Sequence, residues 1–135
     1  MLTPFLTTVR LFLHILAASI WVGGQIVLAG LVPAVRGNAT VTKALANQFN
    51  RLAWPSYFVL LATGVWNMFA VHFWAMDSAW QTVLWIKIGL VLLSGLAAWL
   101  HTKSKSSAGL AVWGSVTALS ALAAMFMGIM LATSV

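Results

Sequence analysis

Lys87 and His14 are the residues of this chain best suited to chemistry. Lys87 interrupts a largely apolar run from Trp80 to His101, in a sequence with seven Lys and Arg and a single acid, Asp77. An ammonium placed deep in hydrocarbon costs at least a few kcal/mol, so it turns toward protein, water or a ligand. His14 lies in a second apolar run, and a neutral imidazole is a good donor to copper, zinc or haem iron. Arg10, His14, Trp21 and Gln25 follow one another at intervals of four, seven and four residues. Those intervals put them on one face of a helix. His72 is flanked by Met68 and Met76, each four residues away. Thioethers favour Cu(I), so these three make a candidate soft-metal mouth. Two histidines on different helices are equally a candidate pair of axial ligands for haem b, with Arg10 and Lys87 meeting its propionates.

Several chemistries are excluded. The 135 residues contain no cysteine, which rules out disulfides and thiolate sites. The sole acid stands in a short loop, so no carboxylate can orient a serine–histidine pair within the apolar runs, and no phosphate-binding glycine loop occurs. Hydrolysis is therefore not expected, and catalysis would need a redox cofactor. The net charge of +6 is scattered at segment ends rather than gathered on a polar face, which argues against nucleic acid.

The elements that position these residues follow from composition. Hydrophobic residues make up 62% of the chain and charged residues 6%, against about 25% charged in a soluble domain. A bilayer core needs roughly 20 apolar residues per helix. Four segments qualify, at about Leu6–Val32, Trp54–Trp74, Trp80–Leu100 and Gly109–Thr133. The first is too long for a signal h-region of about 7–15 residues and is read as a retained helix. Pro33 is expected to stop it, and Pro55 to occupy the first turn of the second. The prediction is an all-α fold: one integral membrane four-helix bundle in a single transmembrane domain spanning residues 1–135.

Arg36, Lys43 and Arg51 lie between spans one and two, and Lys103 and Lys105 between spans three and four. Positive loops stay in the cytoplasm, so both termini are expected outside. His14, His72 and Lys87 then fall in the outer half of the bilayer, with His14 and Lys87 on the order of 10 Å below their helix starts. They are expected to meet in one pocket. Ser94 and His101 share a helical face with Lys87, while Ser56, Thr63 and Asn67 share one on span two. His101 reads as an exposed interfacial residue, and Thr63, Asn67 and Ser94 as polar groups that also serve to knit helices.

The segments LFLHILAASIWVGGQIVLAGLVP, FNRLAWPSYFVLLATGVWN and LWIKIGLVLLSGLAAWLH, with His14, Trp21, Gly23–Gly24, Arg51, Thr63–Gly64 and Lys87 in that order, resemble the copper-resistance D (CopD) family of bacterial inner-membrane proteins. The resemblance covers roughly Phe12 to Lys103 and implies copper binding or transport. The chain is also similar to the HemJ-type protoporphyrinogen oxidases, four-helix proteins with a histidine in span one and a lysine in span three. That similarity implies haem b, with His14 and Lys87 functional. Where HemJ proteins carry Leu-Pro-Arg and a tyrosine–histidine pair, this chain has Leu-Val-Pro-Ala-Val-Arg and Ala-Trp-Leu-His. Larger CopD proteins have eight spans, so a homodimer is expected to complete the path. Three roles follow: copper binding or transport, a haem-b redox protein or electron carrier, and an accessory structural subunit.

Overall fold

A computed structural model describes residues 2–134. Every regular element among them is helical. Helix α1 runs Phe5–Val35, α2 Ala39–Ala70, α3 Ser78–Lys103 and α4 Ser107–Thr133, with a short 3-10 turn at Phe73–Ala75. The fold is all-α, as the composition requires.

Helices α1, α3 and α4, of 31, 26 and 27 residues, are long and apolar enough to cross a membrane. Each exceeds the roughly 30 Å of hydrocarbon at 1.5 Å per residue. They leave large apolar side chains uncovered, among them Phe12 and Ile15 on α1, Leu92 and Leu96 on α3, and Phe126 and Ile129 on α4. Such faces suit lipid as their solvent. The chain is a multi-pass membrane protein.

The helix boundaries differ from those expected, and caps explain most of the difference. The Asn38 side chain accepts the Val41 N–H at 3.2 Å, so α2 begins at Ala39 rather than Trp54. Pro55 therefore lies inside α2 instead of in its first turn. The first half of α2 carries Lys43, Asn47, Gln48, Asn50 and Arg51, which keeps α2 out of the strongly apolar class. Asp77 accepts from the Trp80 N–H at 2.8 Å, and Ser106 from the Gly109 N–H at 3.0 Å. These caps start α3 and α4 two residues early. Pro33 does not stop α1 but sits in its last turn.

The chain divides into two compact units, one ending at His72 and the other starting at Phe73. Each is an antiparallel helical hairpin. In the first, Arg10 meets Asn67, His14 meets Thr63, Trp21 meets Tyr57, and Phe49 lies against Gly24. The turn between α1 and α2 places Gly37 at φ 98°, a conformation that favours glycine. In the second, Trp80 Nε1–H donates to the Leu131 carbonyl, Ser94 meets Thr117, and His101 meets Leu110. Small residues allow this close approach: Ala97 is 0% exposed and Ser94 1%.

Candidate functional site

The α1 stripe read from the sequence faces α2. Arg10 is buried, and its Nη1–H donates to Asn67 Oδ1. A guanidinium remains charged at any ordinary pH, and the first hairpin contains no acid, since Asp77 is the only one in the chain. The buried charge of Arg10 is thus met inside its hairpin only by a neutral amide.

One turn further along α1, His14 Nδ1 lies 2.8 Å from Thr63 Oγ1. Thr63 Oγ1 also lies 2.8 Å from the Val59 carbonyl and 3.2 Å from that of Leu60. A hydroxyl has one proton, and a carbonyl can only accept. The Thr63 proton goes to the backbone, so His14 Nδ1–H must donate to Thr63 Oγ1. In a neutral imidazole this tautomer carries the lone pair on Nε2. A fixed Nδ1–H is the usual partner arrangement for an imidazole that ligates through Nε2. Beside the ring, Gly64 presents no side chain; a Cβ there would lie 3.6 Å from His14 Cε1, an ordinary contact.

Deeper in the hairpin, α1 widens into a π-helical turn at Ser19–Gly23. Such turns are frequent at functional sites. Trp21 is buried here, with Tyr57 at 4.6 Å and Trp54 at 5.4 Å between ring centroids. Beyond it, Gln25 has both amide atoms buried without a hydrogen-bond partner. Leaving such a group unsatisfied costs about 1–3 kcal/mol. A Cβ on the neighbouring Gly24 would come within 2.7 Å of the Phe49 ring, so this approach needs glycine.

The proposed soft-metal mouth loses its helical basis. Helix α2 ends at Ala70, and His72 follows in the left-handed region at φ 54°, exposed, with its N–H donating to the Phe69 carbonyl. Met68 is on α2, but Met76 comes after the 3-10 turn, in the second hairpin. The four-residue intervals around His72 therefore do not define one helix face. Among the described residues, no group of three or more His, Asp or Glu is placed to hold a metal ion.

Lys87 belongs to the second hairpin and His14 to the first. The Lys87 side chain runs across Gly128 of α4. His101 is not simply exposed. It is half-buried, its Nδ1–H donates to the Leu110 carbonyl at 2.9 Å, and Gly114 makes room for its ring. Thr63 and Asn67, expected to knit helices, join α2 to α1 through His14 and Arg10. The available signal was their spacing of four on α2, which matches the spacing of four between Arg10 and His14 on α1.

Comparison with protein-family models, with curated proteins and with solved structures gives no match for the chain.

Proposed function

We propose that the first hairpin holds haem b in a membrane redox protein or electron carrier, in which His14 would bind the iron and Arg10 would meet a carboxylate. The observation that carries this reading is the pair formed by Arg10 and His14. An imidazole whose neutral form carries its lone pair on Nε2 stands one helical turn from a buried cation that no acid in its hairpin compensates. A ligand that combines a metal with carboxylates suits that pair. Haem would supply one-electron chemistry at iron. Thr63 would hold the imidazole plane, and Asn67 would hold the guanidinium toward the carboxylate.

Copper alone, the role implied by the CopD resemblance, is less well supported. Side chains one turn apart are separated by about 5–6 Å at Cβ. A copper ion on His14 would share the hairpin interior with the Arg10 charge, and like charges repel more strongly in a low-dielectric interior than in water. His72, Met68 and Met76 would have to come together by a route other than a shared helix. Under either reading the loop cations Arg36, Lys43, Arg51, Lys103 and Lys105 favour both termini outside, the CopD resemblance implies a bacterial inner membrane, and a homodimer would double the site.

Purification from haem-replete cells tests the proposal. A Soret band in the wild type that is lost in His14→Ala, with the protein still folded, is the expected result. Bound copper without a Soret band would return the site to a copper role. Absence of both would reduce Arg10 and His14 to helix packing in an accessory subunit.

A further inference from the structure

The second hairpin carries a cation of its own. Lys87 lies nine residues into α3, about 13 Å along the helix axis. Its side chain is half-buried, and it makes no hydrogen bond or ion pair with the described residues of its hairpin. The hairpin's only acid, Asp77, is at the start of α3, where its side chain caps the Trp80 N–H. The place where Lys87 lies is set by α4. A Cβ on Gly128 would stand 3.1 Å from Lys87 Nζ, 3.3 Å from Cε and 4.0 Å from Cδ. The missing side chain is therefore the floor on which the end of the lysine rests. Gly89, on the same helix as Lys87, offers the contrast: nothing lies within 4 Å of a Cβ built there.

We propose that Lys87, laid across Gly128, is a receptor for the carboxylate of a long-chain amphiphile dissolved in the bilayer. Three observations point to that ligand class. Among the described residues no acidic side chain lies at the level of the ammonium, so an anionic partner would come from outside the hairpin. With the start of α3 at the membrane interface, about 13 Å of helix carries Lys87 below the headgroup phosphates, which favours an anion that enters hydrocarbon with its own apolar tail. The apolar residues next to the pair, Ile86 beside Lys87 on α3 and Ile129 beside Gly128 on α4, are exposed, and they offer a surface for such a tail. Gly128 is a positioning residue here, acting through Lys87. This inference does not depend on haem in the first hairpin.

The test uses the full chain in detergent micelles with palmitate as the probe and an amine-acylating ester as the reporter. Peptide mass analysis reads Lys87 separately from Lys103 and Lys105, which serve as internal references. Palmitate is expected to slow acylation of Lys87 at least about fivefold and to leave Lys103 and Lys105 unchanged. Gly128→Leu, which fills the floor, removes the protection, whereas Gly89→Leu keeps it. Native mass spectrometry of Lys87→Met, which needs no perturbation of the helix contact, is expected to lose the retained palmitate. Equal slowing at all three lysines, protection that survives in Gly128→Leu, or undiminished palmitate retention by Lys87→Met would each overturn the proposal.

Discussion

The two hairpins are similar in length but use their interfaces differently. In the first, α1 and α2 meet through large and polar side chains: Arg10 with Asn67, His14 with Thr63, and Trp21 with Trp54 and Tyr57. In the second, α3 and α4 meet through small residues and one reciprocal pair. Ser94 Oγ–H donates to the Thr117 carbonyl at 2.9 Å, and Thr117 Oγ1–H donates to the Ser94 carbonyl at 2.7 Å. Both hydroxyls of that pair donate to backbone carbonyls. Lipid gives helices little hydrophobic reason to associate, so close packing and internal hydrogen bonds must hold them together. Apart from Lys87, the second hairpin fits that requirement closely. The first keeps a cation without an acid, an imidazole whose neutral form has its lone pair on Nε2 and an unsatisfied Gln25 amide in its interior. Groups that weaken a helix pair are retained where a ligand uses them.

This contrast can be broken by substitution. The largest effect is expected at Thr63→Val, which keeps the volume but leaves His14 Nδ1–H without its acceptor. Loss of such an outer partner lowers ligand retention by about 10–100-fold, read as haem lost to a competing apo-acceptor. Retention equal to wild type would mean that the hydrogen bond does not orient a ligand. Arg10→Met sharpens the same point. Removing an uncompensated buried charge is expected to leave the hairpin as stable or more so while weakening cofactor retention by roughly tenfold. A destabilised protein with unchanged retention would reverse the assignment.

In the small-residue seam of the second hairpin the effects should be on stability alone. Ala97→Leu forces a large side chain into a position that is 0% exposed, and overpacking of this kind costs about 1–3 kcal/mol. Reversible unfolding in mixed micelles measures it. Ser94→Ala leaves the Thr117 carbonyl with one donor fewer, and a loss of about 0.6–1.7 kcal/mol is expected, the range for interhelical hydrogen bonds in membranes. A cycle with Thr117→Val isolates the pair term. The smallest change should come from Gly64→Ala in the first hairpin. Its new Cβ meets His14 at an ordinary 3.6 Å, so stability should stay within about 0.5 kcal/mol.

The α1 stripe was legible in the sequence because helical periodicity alone puts Arg10, His14, Trp21 and Gln25 on one face, and that face meets α2. The depth of Lys87 in an apolar run was equally legible. The region around His72 was not. A four-residue interval has meaning only while the helix continues, and the left-handed backbone at His72 ends that continuity. Nothing in Met68 or Met76 signals it. The start of α2 was missed for a related reason: apolarity marks what lipid covers, whereas α2 begins at the Asn38 cap in a polar stretch. His101 was read as exposed because its partner is a backbone carbonyl, which has no signature in the sequence.

Composition determined by itself that this chain is helical and lives in a membrane, since hydrocarbon accepts only segments that satisfy their own backbone. Spacing determined which side chains share a helix face. Only the tertiary structure decided the pairing across faces: Thr63 as the acceptor that fixes His14, Asn67 as the neutral partner of Arg10, and Gly128 as the floor beneath Lys87. Periodicity is a property of one helix, whereas a hydrogen bond or a close approach needs the register and separation of two.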